Sequence, residues 1–305
     1  MFEKLLVEKY RPANLSDMVL SDSNRRYFES ITEEIPNLLF VGVPGLGKTT
    51  LAKIIVQSIL KCQYLYINAS DENGIDTIRS KVVGFSQTRS IDGKHKVVVL
   101  DEADGITIDG QRALRNTMEE YSSTTRFILT ANYKHKIIPA IQSRTQSFDL
   151  TPPFDDVAKR IVNIVKQESI KISDDQKANL INIIKTCYPD IRRVLNTIQK
   201  NTVNGIFVAD QILNSNEIAK KIHEFIINDD IFELRKYLLN NENEFQGDYH
   251  NLMKLYLNFI YNLNLPESKK AQYIITISEH MYRDVFVLDK EINAFACWVN
   301  LTKLS

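Results

Sequence analysis

Gly42-Val-Pro-Gly-Leu-Gly-Lys-Thr49 fits the spacing G-x-x-x-x-G-K-[ST] of a phosphate-binding loop. Closely spaced glycines let the backbone curl until successive N–H groups point inward at a polyphosphate. A helix that follows aims its free N–H groups at the same phosphates. In such a loop the Lys48 ammonium pairs with the β- and γ-phosphates, and the Thr49 hydroxyl holds a magnesium ion. The flanks agree. Leu38-Leu-Phe-Val41 is an apolar run suited to a buried parallel strand. After the loop, Leu51, Ile54, Ile55 and Ile59 recur at helical spacing. Strand, loop and helix therefore stand in the order a phosphate site needs, which an accidental Gly/Pro turn does not explain.

Val97-Val-Val-Leu100 is a second buried-strand candidate, and it ends in Asp101-Glu102. Alone, two acids there read as solvated residues opening a loop. In open α/β sheets, however, ligands bind at the carboxyl ends of the strands. Beside a phosphate loop, Asp101 is placed to bind magnesium through its water shell and Glu102 to polarise an attacking water.

Further strands are expected at Tyr64–Asn68, Phe127–Thr130 and Ser147–Leu150, with helical patterns around 22–34, 49–61, 74–86 and 110–121. This alternation argues a parallel sheet covered by helices on both faces. Thr151-Pro-Pro153 ends it. Helices are expected at 154–170, 174–187 and 190–200, with a short one near 208–213, and a last helical section from Glu217 onward. That last section carries many aromatics, among them Tyr256, Tyr273, Phe286 and Trp298, which fit a core or an oligomer interface.

The composition is that of an ordinary globular chain: 305 residues, 44% hydrophobic and 25% charged, enough for two or three domains. No run approaches the roughly 20 apolar residues of a membrane helix, and Met1-Phe-Glu-Lys4 lacks a signal-peptide core. Cys62, Cys187 and Cys297 lie far apart without metal-ligand spacing, so reduced thiols in the cytoplasm are expected. With 38 basic and 38 acidic residues the net charge is zero, so any DNA binding has to come from a local patch or from several subunits together.

Several segments, in order, resemble the small ATPase subunits of sliding-clamp loaders, within the AAA+ family. Val7-Glu-Lys-Tyr-Arg-Pro12 matches the family's N-terminal box. Asn68-Ala-Ser-Asp71 with Gly74-Ile75 and Arg79 matches its second-strand segment, and Asp101-Glu-Ala-Asp104 its acidic strand end. Gln111, Ala113-Leu-Arg115 and Thr117-Met-Glu119 match the helix that follows. Thr130-Ala-Asn132, Ser143-Arg144, Pro189-Asp-Ile-Arg192 and Leu195-Asn196 complete the series. The resemblance covers roughly residues 3–200 and is of the replication factor C small-subunit type; Ser90-Ile-Asp-Gly-Lys-His-Lys96 and the short chain resemble the T-even-type phage version more than cellular ones, with an archaeal or eukaryotic small subunit as the alternative. Thr145 stands where the family has Cys, and Leu6 where it has Trp; the zinc-binding cysteines of bacterial loader subunits are absent.

The resemblance implies an α/β P-loop AAA+ domain over 1–152, with a parallel sheet flanked by helices. An all-helical lid over 153–214 and an all-helical collar domain over 215–305 would follow. It implies Mg2+-dependent ATP hydrolysis within a hetero-pentamer that opens a sliding clamp and grips primer-template DNA. By residue, Val7, Tyr10, Arg11 and Pro12 would line the adenine end. Gly42, Val43, Pro44, Gly45, Leu46, Gly47, Lys48, Thr49 and Thr50 would cradle the phosphates, with Arg192 reaching them from the lid. Thr49 and Asp101 would serve the metal; Glu102, Asn132, Lys48 and, acting on a neighbouring subunit's ATP, Arg144 would be catalytic. Arg79 and Arg112 would contact DNA, and Val83, Phe85 and Ser86–Ser90 the clamp. A DNA motor, a replication initiator and a nucleotide-binding scaffold without turnover are the alternatives.

Overall fold

The computed structural model describes residues 5–71, 74, 76, 78–88, 90, 93, 95–209, 215–242, 245 and 247–304. The chain divides into two compact units, Met1–Val208 and Ala209–Ser305.

The first unit is built on five strands: β1 (Leu38–Val41), β2 (Tyr64–Asn68), β3 (Lys96–Asp101), β4 (Thr125–Ala131) and β5 (Gln146–Asp149). They pair in the order β2-β3-β4-β1-β5, all parallel. Parallel strands covered on both faces are apolar on both faces, and β3 is buried throughout. The period of two divides its side chains. Val97 and Val99 join Phe28, Phe40, Leu51 and Ile55 on one face, while Val98 and Leu100 join Leu39, Leu114 and Phe127 on the other. Strand β5 starts one residue before the expected position because it is an edge strand whose burial pattern is too weak to mark its start.

The helices are α1 (Leu6–Lys9), α2 (Asp22–Glu29), α3 (Lys48–Ile54), α4 (Gly84–Gln87), α5 (Ile108–Glu120) and α6 (Pro139–Gln142). Helix α3 widens into a π-helical stretch at Ile55–Ile59, and α4 is preceded by another at Ile78–Val83, so neither segment is the uninterrupted α-helix that its periodicity predicts. Thr107 caps α5 by accepting from the Gly110 N–H.

Three helices follow, α7 (Phe154–Gln167), α8 (Lys177–Cys187) and α9 (Ile191–Lys200), each burying one stripe. This region is not wholly helical. Strands β6 (Thr202–Val203) and β7 (Ile206–Phe207) form an antiparallel hairpin turned by Asn204 and Gly205, both at positive φ. Of the short helix expected near 208–213, Val208 and Ala209 are not helical and the remainder lies outside the described residues.

The second unit is helical: α10 (Ser215–Ile227), α11 (Ile231–Asn240), α12 (Tyr249–Asn262), α13 (Glu267–Arg283) and α14 (Lys290–Thr302). Tyr256, Tyr273 and Trp298 are fully buried at its centre. A polar chain threads that core. Asn293 donates to the His280 carbonyl and Asp284, its side-chain oxygen faces His280 Nδ1 at 3.0 Å, and Asn300 lies 3.1 Å from His280 Nε2.

Candidate nucleotide site

The loop between β1 and α3 sits at the carboxyl edge of the sheet, where β1 lies between β4 and β5. Its glycines are needed for their backbone angles: φ is +146° at Gly42, +84° at Gly45 and +85° at Gly47. Gly45 also has no room for a side chain, because a Cβ there would fall 1.7 Å from Asp190 Oδ1. Asp190 is the N-cap of α9. The start of α9 therefore lies directly against the loop, which brings Arg192 to the site. Leu46 is buried beneath the loop, while Val43 and Pro44 are exposed and Thr50 is half-buried.

Lys48 folds back into its own loop. Its ammonium donates to the carbonyls of Gly42 (2.7 Å) and Val43 (2.9 Å) and to Asn132 Oδ1 (2.7 Å). Burial pushes its pKa below the ordinary lysine value. The charges of Asp104, Asp101 and Glu102 oppose that shift, and the exposed Arg192 adds to it. Lys48 thus joins the loop to the end of β4 and is already placed where an anionic ligand would meet it.

Asp101 is buried at the end of β3. It accepts from the Thr49 hydroxyl at 2.8 and 2.9 Å, from Thr130 at 2.6 Å and from Tyr66 at 2.7 Å. Thr130 also accepts the Glu102 N–H at 3.0 Å, so one hydroxyl ties both acids. Glu102 sits at φ +54°, and its carboxylate accepts from the Ser70 hydroxyl. Asp104 accepts the N–H groups of Asn132 and Tyr133, both at 3.1 Å, and so fixes the end of β4. Thr49 and Asp101 present hard oxygens side by side, a donor set that suits Mg2+. That ion takes one or two protein ligands and completes its shell with water and phosphate. Among the described residues no cluster of three or more His, Cys, Asp or Glu side chains offers an all-protein cage.

Arg11 lies close enough to Tyr66 for its charge to be felt. Tyr10 turns to the end of α7, where its hydroxyl donates to Glu168 Oε1 at 2.5 Å and Lys9 pairs with the same oxygen at 2.6 Å. The Leu6 N–H donates to Gln199 of α9. Val7 and Pro12 are half-buried.

Arg144 stands apart from the cluster. Its guanidinium pairs with Glu119 and donates to the Ala140 carbonyl at 2.7 Å and weakly to Ser143. Arg112 is exposed and pairs with Asp109 on its own helix. The Arg79 side chain lies outside the described residues. Phe85 and Val83 are half-buried, with the buried Lys96 ammonium 4.4 Å from the Phe85 ring centroid, and Ser86 is buried; Arg89 lies outside the described residues.

Sequence reasoning gave Tyr66, Ser70, Thr130 and Asp104 no role of their own. The last three lie inside quoted motifs, so a signal was present for them. Tyr66 carried none.

The family model for AAA, the ATPase family associated with various cellular activities, matches residues 38–152. The replication factor C small subunit of Methanococcus vannielii is 35% identical over 298 residues, covering 93% of this chain and 93% of that protein. That of Sulfurisphaera tokodaii is 42% identical over 239 residues, covering 74% and 71%. Among solved structures, the Thermotoga maritima RuvB Holliday junction branch migration motor is similar at 17% identity and TM-score 0.45. It covers 71% of this chain and 80% of that one, too loose a likeness to bear on function. With its phosphate loop, its acidic strand end and a relative 35% identical that is covered to 93% of its length, the chain belongs to the replication factor C small-subunit family of AAA ATPases.

Proposed function

We propose that this chain is an ATPase subunit of a sliding-clamp loader whose catalytic site is completed by a second subunit. One observation carries the reading. Lys48, Thr49, Asp101, Glu102 and Asn132 converge on one phosphate cradle, while the hydrogen-bonding partners of Arg144 all lie elsewhere.

ATP would replace the internal partners of Lys48, and the loop amides and the α3 N-terminus would take the remaining phosphate charge. Thr49, and Asp101 through water, would hold Mg2+, which would neutralise charge on the phosphates. Glu102 would polarise the attacking water once it leaves Ser70, and Asn132 would orient that water. Arg192 would reach the phosphates from α9, and Val7, Tyr10, Arg11 and Pro12 would border the base. Arg144 would enter the neighbouring subunit's site and stabilise the transition-state charge there, worth roughly a thousandfold or more.

The assembly this supports is a hetero-pentamer with a sliding clamp and primer-template DNA as partners. ATP at the seams would hold a spiral that opens the clamp, and hydrolysis would release it. Arg79 and Arg112 are the proposed phosphate contacts on DNA, and Val83, Phe85 and Ser86–Ser90 the proposed clamp contact. The functional division is an ATPase domain to 152, a lid over 153–214 and a collar over 215–305. The Ser90–Lys96 segment supports a phage-type member, acting in its host's cytoplasm.

The test is turnover with and without clamp and primed DNA. A loader needs both for full rate. Full stimulation by DNA alone would mark a motor, and no turnover a scaffold.

A further inference from the structure

We infer that Tyr66 is a positioning residue for the metal site, its hydroxyl holding one oxygen of Asp101 while Thr130 holds the other. The inference rests on the proposed use of Asp101 and Thr49 toward Mg2+.

The two hydroxyls come from opposite sides. Strand β3 lies between β2 and β4, and these neighbours carry Tyr66 and Thr130. In register, Tyr66 pairs with Val99, two residues before Asp101 and on the same face. A tyrosine is long enough to reach forward along that face, and its hydroxyl donates to Asp101 Oδ2 at 2.7 Å. Thr130 donates to Oδ1 at 2.6 Å. Thr49 bonds both oxygens, yet it is the residue that must turn to the metal when nucleotide enters. Once it turns, Tyr66 and Thr130 remain, one donor per oxygen. A carboxylate gripped that way cannot rotate about its last bond, and each oxygen keeps a lone pair for a metal-bound water.

The ring of Tyr66 is itself held. The Lys53 ammonium of α3 lies 4.6 Å from its centroid. A phenol hydroxyl is a donor at neutral pH, so this bond to the Asp101 carboxylate is kept there. Tyr66 is 37% exposed, so its phenyl ring also forms the outer wall of the acid.

Tyr66→Phe removes the hydroxyl and keeps the wall. The experiment titrates Mg2+ against a fluorescent ADP analogue bound to the purified chain, starting in EDTA. Nucleotide affinity in EDTA is expected to stay within twofold of wild type, while the Mg2+ midpoint rises about tenfold, the usual scale for removing a group that orients a metal ligand. Thr49→Ala is the control and should abolish the Mg2+ response. A normal Mg2+ midpoint in Tyr66→Phe, with Thr49→Ala defective, overturns the role of Tyr66 alone. A normal response in Thr49→Ala overturns the metal-site reading beneath it.

Discussion

Glu102 and Arg144 carry the sharpest predictions at the scale of single residues. Glu102→Gln keeps the shape and the backbone bond to Thr130 but removes the base. Turnover should fall by about a hundredfold or more while ATP affinity holds within a few-fold, read by single-turnover hydrolysis and equilibrium binding. Equal losses in both would mean that Glu102 is a binding residue. Arg144→Ala should bind ATP normally and lose its clamp- and DNA-stimulated rate, by roughly a thousandfold. The residues that the structure gathers at the loop were legible in the sequence, for a physical reason. A phosphate loop needs glycine at set backbone angles and a Lys-Thr pair at set distances, so its constraint is local. Tyr66 was invisible because its role arises only when β2 pairs with β3, which brings residues 35 positions apart into contact.

The N-terminal helix α1 and the residue after it have a structural task besides the proposed place of this segment at the base. Lys9 and Tyr10 bind Glu168, while Leu6 is buried and its N–H bonds Gln199. The segment ties the start of the chain to α7 and α9. Partial burial, then the bond and charge of Glu168, push the Tyr10 phenol up to about 12 from 10.0. The folded state therefore keeps this proton longer than the unfolded state does. The stability it contributes is complete below pH 10 and is lost as pH climbs through about 12. Thermal midpoints measured between pH 9 and 12 should fall less steeply in Tyr10→Phe than in wild type; identical slopes would remove Tyr10 from the account. At the same scale, Trp298 on α14 is wholly buried and its Nε1 makes no hydrogen bond within the described structure. Trp298→Ala should cost about 3–5 kcal/mol by denaturant titration, and Trp298→Phe distinctly less, since no hydrogen bond is lost with the indole. The longer helices of the first unit were legible because their apolar residues recur at helical spacing, and its sheet strands β1 to β4 because they are short apolar runs; the four-residue helices α1 and α6 are too short to show a period. The β6–β7 hairpin was not legible, because two-residue strands have no period to read.

The whole molecule shows what composition could not resolve. Zero net charge gave no clue to a partner, and the aromatics of the last hundred residues fitted a core or an interface equally well. The structure divides them. Tyr256, Tyr273 and Trp298 are core, whereas Phe232, Tyr261, Tyr282 and Phe286 are at least 70% exposed. That division depends on which face each helix turns inward, and the faces are set by helices distant in sequence. Cysteine accessibility follows the same map. Cys297 is fully buried, with its thiol pushed up to about 12, and Cys187 is buried and raised too, while Cys62 is half-buried. Brief alkylation at pH 8 should label Cys62 first and spare Cys297 until the second unit unfolds, as peptide mass mapping can show. Early labelling of Cys297 would mean that this core opens readily. The central claim, that cradle and arginine come from different copies, has one direct measurement: the ATPase rate of a mixture of Lys48→Ala and Arg144→Ala chains, assembled with the partner subunit, clamp and primed DNA. Each variant alone should be nearly inactive, and the mixture should recover part of the wild-type rate at seams where an intact cradle meets an intact arginine. No recovery in fully assembled mixtures would contradict the account.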